Sequence, residues 1–171
     1  AKVALFGSRQ ETVDKALAEL KSENPSWEVI GMARDITDYT AMKNAVDEVA
    51  ARFGKLDILV NNAGISAREP LTQYDPEAFK KIMDLNVTAV FNGCKAAAEH
   101  MREHGGSIIN TSSMVSIYGQ PSGVGYPTSK FAVNGMTKSL ARELGRSGIR
   151  VNAVAPGVTR TDMVAALPAD M

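Results

Sequence analysis

The stretch LDILVNNAG, residues 56–64, joins an apolar run to a short polar loop. Residues 56–60 have the length and composition of a buried strand, and Gly54 before them ends a helical pattern. The segment at 61–64 then brings amides and small residues directly after the strand. Because ligands of parallel α/β sheets bind outside the carboxyl ends of the strands, this stretch predicts a strand and one wall of a binding site.

Strands and helices alternate on both sides of this stretch. Further strands are predicted at 3–6, 27–30, 107–109 and 149–155, and helices at 12–20, 38–53, 76–100 and 124–146. Regular alternation indicates βαβ crossovers and a mostly parallel sheet with helices on both faces. We therefore expect an α/β fold with a doubly wound parallel sheet.

Composition limits the classes of function. The 171 residues are 44% hydrophobic, which is enough for one domain over residues 1–171. Nineteen basic residues balance nineteen acidic ones, so the charge does not favour nucleic acid or an anionic membrane surface as a partner. A small-molecule partner fits this balance better.

Cys94 is the single cysteine of the chain, which excludes an intramolecular disulfide framework and gives no metal-ligand spacing. No stretch approaches the roughly 20 apolar residues of a membrane-spanning helix, and the first residues do not resemble a secretory leader. We therefore expect a cytoplasmic protein without a metal.

The segment YPTSK, residues 126–130, is the sharpest chemical feature. Tyr126 and Lys130 are four residues apart and lie on one face of the predicted helix, so the ammonium can approach the phenol and favour its ionised form. Such a tyrosine can act as a general acid or base. The spacing alone arises often by chance, so it needs support from other residues.

Two further residues give that support. Ser113 follows the predicted strand at 107–109, and Asn86 lies inside a predicted helix, where asparagine is an indifferent helix former. Taken singly, they would be a turn serine and a solvated asparagine. Together with YPTSK, with NNAG at 61–64 and with PGVTRT at 156–161, they favour a catalytic site.

These motifs, with VNAVAPGVTRTDM at 151–163, resemble the pattern of short-chain dehydrogenases/reductases from about Lys2 to Met163. The resemblance implies a Rossmann-type fold and an oxidoreductase that transfers a hydride between a nicotinamide cofactor and a ketone or secondary alcohol. The subgroup resembles 3-oxoacyl-carrier-protein reductases, sugar alcohol dehydrogenases and hydroxysteroid dehydrogenases, which the motifs do not separate.

The resemblance also implies residue roles. Tyr126 would be the general acid or base, and Lys130 would assist it and bind the nicotinamide ribose. Ser113 would polarise the substrate carbonyl, and Asn86 would hold a water that links Lys130 to solvent. The remaining cofactor contacts would come from Asp35 at the adenine, from Asn62, Ala63 and Gly64 at the adenosine, and from Pro156, Gly157, Val158, Thr159 and Thr161 at the carboxamide and pyrophosphate.

The strand at 3–6 takes the place of the family's second strand, whose end selects between NAD and NADP. A carboxylate there accepts from the ribose 2′-hydroxyl of NAD, whereas arginine or a small hydroxyl suits the 2′-phosphate of NADP. This chain has Gly7-Ser8-Arg9 and no acid. We therefore predict NADP, with Ser8 and Arg9 on the 2′-phosphate, and NAD as the alternative.

The family's first strand, with its TGxxxGxG loop, and its last strand have no counterpart in the 171 residues. In the family's sheet the first strand lies between the second and the fourth, so we expect a gap there with unpaired backbone groups on both flanks. We therefore expect the chain to be a segment of a longer protein.

Three alternatives stay open beside an NADP-dependent ketone reductase. They are an NAD-dependent alcohol dehydrogenase, a catalytically inactive binding or structural protein that keeps the fold, and an epimerase or dehydratase of nucleotide sugars. The last shares the YxxxK spacing but usually lacks NNAG at this strand end. Helices at 78–102 and 124–146 resemble those that pair between subunits in the family, which predicts a homodimer or homotetramer. Met114, Tyr118 and Val158 are among the residues predicted to line the substrate pocket.

Overall fold

Strands alternate with helices along residues 1–159, the part of the chain that the computed structural model describes. The elements follow in the order β1 (Val3–Gly7), α1 (Gln10–Glu23), β2 (Val29–Ala33), α2 (Tyr39–Phe53), β3 (Ile58–Asn61), α3 (Pro76–Met83), α4 (Ala89–Met101), β4 (Gly106–Thr111), α5 (Val115–Tyr118), α6 (Gly125–Leu144) and β5 (Ile149–Val154). The predicted alternation of strands and helices is confirmed.

All strand pairs in residues 1–159 are parallel. β1 pairs with β2, while β3 pairs with β4 and β4 with β5. No hydrogen bonds join these two groups of strands in the described residues. On β3, Ile58 and Val60 are 59% and 56% exposed, so one face of this strand is open. The predicted parallel α/β sheet, incomplete between the strands at 3–7 and 58–61, is confirmed.

The main core lies where α2, α4 and α6 pack on the strands. It includes Met42, Val90, Ile108, Val133 and Val151, all at most 5% exposed. Burial of such side chains is worth about 25 cal/mol per Å² of apolar surface, which makes this layer the main source of stability. The core therefore fixes β3, β4 and β5, whose carboxyl ends carry the predicted site.

Two predicted helix boundaries agree with the structure. The Asp38 carboxylate accepts a hydrogen bond from the Ala41 N–H at 2.7 Å and caps α2. Gly54 ends the same helix with φ = 87°, a left-handed conformation that glycine adopts without strain. The chain then enters β3.

Two of the predicted elements show why the observed bounds depart from the predicted ones. The helix predicted over 76–100 is interrupted by a π-helical turn, Asp84–Thr88, which inserts wider hydrogen-bonded rings between α3 and α4. The strand predicted at 27–30 begins later, at Val29, because Trp27 belongs to the preceding turn, where its N–H donates to the Asn24 carbonyl at 3.2 Å. An aromatic side chain is typical of a strand, but the hydrogen bond to Asn24 keeps Trp27 in the turn.

No helix within residues 1–159 combines the length and the apolar composition needed to cross a bilayer.

Gly93→Ala tests the close packing of α4 on β3. A methyl group at position 93 would collide with Oδ1 of Asn61 and lie 3.3 Å from Cε of Met42. We expect overpacking to lower the free energy of unfolding by about 1–3 kcal/mol in urea titrations. The control is Gly135→Ala on the exposed side of α6, where nothing lies within 4 Å of the new methyl. It should gain up to about 1 kcal/mol in helix propensity. Equal stability of the two variants would contradict the packing.

Candidate active site

The ends of β3, β4 and β5 meet at one edge of the sheet. In the strand register Asn61 lies beside Asn110, and Asn110 beside Ala153. The contact continues past the strands, because the Met114 N–H donates to the Pro156 carbonyl at 2.9 Å. The segments that follow these three strands therefore share one edge.

Asn86 is fully buried in the π-helical turn. Its side-chain amide donates to the Ile65 carbonyl at 2.9 Å and to Oγ of Ser129 at 3.0 Å, while its Oδ1 accepts from the Ile65 N–H at 2.9 Å. The wider π turn places this amide inside the protein instead of on a helix surface. Asn86 thus holds the segment that follows NNAG against α6.

Lys130 is a buried cation. Its Nζ donates to the backbone carbonyl of Thr111 at 2.7 Å and lies 5.5 Å from the ring centroid of Tyr126. Burial lowers the pKa of Lys130 below its ordinary value of 10.5. Tyr126 itself is half-buried in the first turn of α6. The ammonium of Lys130 thus lies near the ring of Tyr126, and the roles of the two residues stay a prediction.

Ser113 is buried at the turn between β4 and α5, and its Oγ accepts from the Val115 N–H at 3.4 Å. Its carbonyl accepts from Oγ of Ser116 at 2.6 Å, and Ser116 in turn accepts from the Asn134 amide at 2.7 Å. Because Asn134 lies on α6, this chain of hydrogen bonds ties Ser113 to the helix that carries Tyr126 and Lys130.

Gly64 lies between two of these residues. A Cβ at this position would lie 3.2 Å from Oδ1 of Asn86 and 3.7 Å from Nζ of Lys130. The structure therefore brings Gly64, Asn86, Lys130 and Tyr126 into one cluster, with Ser113 attached to it through Ser116.

Most predicted cofactor residues are exposed at the strand ends. Ser8 and Arg9 follow β1, Asn62 and Ala63 follow β3, and the exposed group after β5 consists of Pro156, Gly157, Val158 and Thr159. Thr161 lies outside the described residues. A nicotinamide dinucleotide is long and polar. Small residues and amides exposed along the strand ends suit such a group.

Asp35 follows β2 and uses its Oδ1 locally. This oxygen accepts from the N–H and the Oγ1 of Thr37 at 2.9 and 2.6 Å. These hydrogen bonds hold the pKa of Asp35 below its ordinary value. A contact between Asp35 and adenine stays a prediction.

Three groups of the site had not been predicted. The Thr111 carbonyl holds Lys130. The backbone of Ile65 and the hydroxyl of Ser129 hold Asn86. Backbone groups leave no signal in residue types, so the first two could not have been found. Ser129 lies within YPTSK, directly before Lys130, so the motif itself could have marked its hydroxyl as a candidate site group.

Phe91 of α4 and Phe131 of α6 are both about half exposed. They lie on the helices predicted to pair between subunits, and subunit pairing stays a prediction. Within residues 1–159, no group of three or more His, Cys, Asp or Glu side chains is arranged to hold a metal ion.

Relatives share the sequence along most of the chain. It is 63% identical over 169 residues to the 3alpha-hydroxysteroid dehydrogenase of Mediterraneibacter gnavus, covering 98% of this chain and 68% of that protein. It is 38% identical over 160 residues to the 3-oxoacyl-[acyl-carrier-protein] reductase FabG of Thermotoga maritima, covering 93% and 64%.

Solved structures share the fold. A gluconate 5-dehydrogenase from Burkholderia cenocepacia J2315, in complex with NADP and tartrate, superposes with a TM-score of 0.90 at 33% identity, covering 98% of this chain and 65% of that one. An NAD+-bound xylitol dehydrogenase superposes with a TM-score of 0.85 at 35% identity, covering 90% and 59%. The chain thus spans roughly three fifths to two thirds of its relatives. The family model for short chain dehydrogenases matches residues 1–171, and with these relatives it shows that the chain belongs to the short-chain dehydrogenase/reductase family of NAD(P)-dependent oxidoreductases.

Proposed function

We propose that this chain carries the catalytic residues of an NADP-dependent 3α-hydroxysteroid dehydrogenase, which interconverts a secondary alcohol and a ketone. One observation carries the proposal: Nζ of Lys130 is fixed by the Thr111 carbonyl at 2.7 Å and lies 5.5 Å from the Tyr126 ring. A cation held beside a phenol at the end of a parallel strand is suited to proton transfer at that phenol.

Tyr126 gives its phenolic proton to the substrate oxygen in reduction and takes the alcohol proton in oxidation. Ser113 donates a hydrogen bond to the same oxygen and stabilises the negative charge that develops there. Lys130 would assist Tyr126 through its charge, and Asn86 would hold a water that links Lys130 to solvent. A nicotinamide cofactor, when bound at the strand ends, would supply or accept the hydride.

The cofactor would be held along the exposed strand ends. Ser8 and Arg9 would bind the 2′-phosphate of NADP. The other contacts would come from Asp35, Asn62, Ala63, Gly64, Tyr126, Lys130, Pro156, Gly157, Val158 and Thr159, with Thr161 beyond the described residues. Support for NADP comes from the residues after β1, where a guanidinium and a hydroxyl are exposed and no carboxylate follows the strand before α1.

Steroid substrates are supported by the relative from Mediterraneibacter gnavus, which is 63% identical and is named for 3α-hydroxysteroids. Apolar side chains near the strand ends agree with a flat apolar substrate. Tyr118 and Val158 are 76% and 87% exposed, and Met114 is hydrogen-bonded through its backbone N–H to Pro156. Such exposed apolar surface is available for a ligand.

Tyr126→Phe tests the proton transfer. Loss of the phenolic proton should lower kcat for a 3-ketosteroid with NADPH by at least about 100-fold, as for removal of a general acid. NADPH binding, followed by its fluorescence, should persist because the other proposed cofactor contacts remain and the Lys130–Thr111 hydrogen bond does not involve the phenol. The control is Tyr39→Phe, which removes a hydroxyl that donates to Glu99 and should leave kcat unchanged. Full activity of Y126F would refute the mechanism, and no NADPH binding by the wild type would favour an inactive binding protein.

Arg9→Asp tests the choice of cofactor. The substitution removes a charge-assisted hydrogen bond to the 2′-phosphate and supplies a carboxylate for a ribose 2′-hydroxyl. The ratio of Kd for NADPH to Kd for NADH should rise by about 10- to 100-fold, as expected for a hydrogen bond to a charged group. Lys15→Asp is the matched control, since Lys15 is an exposed cation of α1, the helix that Arg9 precedes, and it pairs with Glu19. An unchanged ratio in R9D would assign selectivity to other residues.

Lys130→Met tests the cost of burying the cation. Because burial lowers the folded-state pKa of Lys130 below 10.5, the unfolded chain binds more protons than the folded one between the two pKa values. The contribution of Lys130 to the free energy of unfolding therefore rises with pH through that window.

The stability of K130M relative to the wild type should accordingly be highest near neutral pH and decline toward pH 10.5, the ordinary pKa of lysine. Urea unfolding over this range measures the difference, and the sign of its slope does not depend on the lost hydrogen bond to Thr111. Lys138→Met, at an exposed position of α6, is the control and should give a smaller slope. A flat or rising difference for K130M would contradict the burial cost.

A further inference from the structure

The hydroxyl of Ser129 joins the π-helical turn to the first turn of α6. Its Oγ accepts from the Asn86 amide at 3.0 Å and donates to the backbone carbonyl of Tyr126 at 2.7 Å. The serine is fully buried. Serines inside helices often bond back to the preceding turn, but this oxygen also meets a side chain of another element. One buried atom therefore contacts both Asn86 and the backbone of Tyr126.

The partners of Asn86 fix the direction of both hydrogen bonds. Oδ1 of Asn86 accepts from the Ile65 N–H, and one hydrogen of the amide goes to the Ile65 carbonyl, both at 2.9 Å. The second amide hydrogen is then left for Ser129. A serine hydroxyl has a single proton, which is therefore free to donate to the Tyr126 carbonyl. Every polar hydrogen of the Asn86 and Ser129 side chains thus has an acceptor.

The first turn of α6 is weakly held by its own backbone. Val124 occupies the N-cap position and forms no side-chain hydrogen bond. Pro127 has no N–H to donate. The Tyr126 N–H donates to the Gly123 carbonyl at 3.2 Å, at the long end of the usual range. The bond from Ser129 at 2.7 Å therefore adds a fixed point to a turn that has few others.

We propose that Ser129 is a positioning residue that sets the place of Tyr126 relative to Asn86. This inference rests on the proposed function, in which Tyr126 transfers the proton. The chain of bonds runs from the backbone of Ile65 through Asn86 and Ser129 to the carbonyl of Tyr126, so it ties the segment after β3 to the first turn of α6. Because rates of proton transfer depend steeply on geometry, loss of the hydroxyl lowers turnover more than binding.

Ser129→Ala in the full-length protein tests the link, in assays with NADPH and a 3-ketosteroid. The variant removes the proton that the Tyr126 carbonyl accepts and leaves one Asn86 N–H without its acceptor. We expect kcat to fall about tenfold, the rate equivalent of one hydrogen bond. KM for NADPH should stay unchanged, because Lys130 remains bonded to Thr111. Ser129→Thr keeps a hydroxyl, which threonine can also direct to the preceding turn of a helix, and should recover most of the lost kcat.

Thr137→Val is the matched control, because it removes another buried hydroxyl of α6, one that accepts from the Asn110 amide at 2.9 Å. The backbone of Asn110 stays paired with Asn61 and Ala153. The kcat of T137V should therefore equal that of the wild type, although its free energy of unfolding falls. Equal losses of kcat in S129A and T137V would assign the hydroxyl at 129 a merely structural role and overturn the inference.

Hydrogen exchange gives a measure that needs no substrate. The Ile65 N–H donates to Asn86, so it should exchange faster in S129A than in the wild type, and at an unchanged rate in T137V. If wild-type protein reduced no steroid, the proposed function would fail while exchange at Ile65 still decided the link. Wild-type exchange in S129A would overturn the link, and wild-type kcat in S129A would overturn its role in catalysis. Should S129A not fold, Ser129→Cys, whose thiol is a weak donor and acceptor, must show both changes, and unchanged values would overturn the inference equally.

Discussion

The site depends on one hydrogen bond, in which Nζ of Lys130 donates to the backbone carbonyl of Thr111 at 2.7 Å. This bond joins the helix that carries Tyr126 to the end of β4, beside Ser113. Burial opposes the charge of Lys130 and lowers its pKa, so the protein keeps a cation in a place where stability alone would favour an apolar side chain. The carbonyl also fixes the direction of the ammonium. A buried N–H donor without an acceptor would lower the free energy of unfolding by more than one hydrogen bond typically adds to it. Tyr126 and Gly64 then lie around a cation whose position the backbone sets.

Asn86 lies where the helix departs from regular α geometry. A regular helix over 76–100 would keep the i→i−4 hydrogen bonds throughout its interior, yet the chain forms a π-helical turn at Asp84–Thr88. The turn places the Asn86 amide inside the protein, where it binds both the N–H and the carbonyl of Ile65 and the hydroxyl of Ser129. Such π turns are rare in proteins, and those that occur are often found at functional sites. The site is thus held by a side chain that replaces a strand partner for the segment after β3.

Sequence reasoning located the elements whose rules are local, and it failed where tertiary contacts decide. Asp38 and Gly54 bound α2 as predicted, because cap chemistry depends on a few neighbouring residues. The same reasoning placed Trp27 in a strand, although hydrogen bonds at Asn24 keep it in a turn. Asn86 was noticed because asparagine is unusual inside a helix, but the π turn could not be derived from that. The partner of Lys130 is a carbonyl, and every residue has one, so no residue type could have announced it.

The candidate catalytic residues and the candidate cofactor-selecting residues lie on different groups of strands. Asn86, Ser113, Tyr126 and Lys130 all belong to β3, β4, β5 and their helices, whereas Ser8, Arg9 and Asp35 follow β1 and β2. Since no strand pairing joins the groups within residues 1–159, their relative position is set by packing of α2 on α4 and by the Asn92 amide, which donates to the Ile36 and Thr37 carbonyls at 3.1 and 3.0 Å. The hydrogen bonds that set the catalytic geometry do not pass through the residues after β1. If Ser8 and Arg9 bind the cofactor as proposed, a substitution at this edge can change cofactor preference while the cluster around Lys130 keeps its shape.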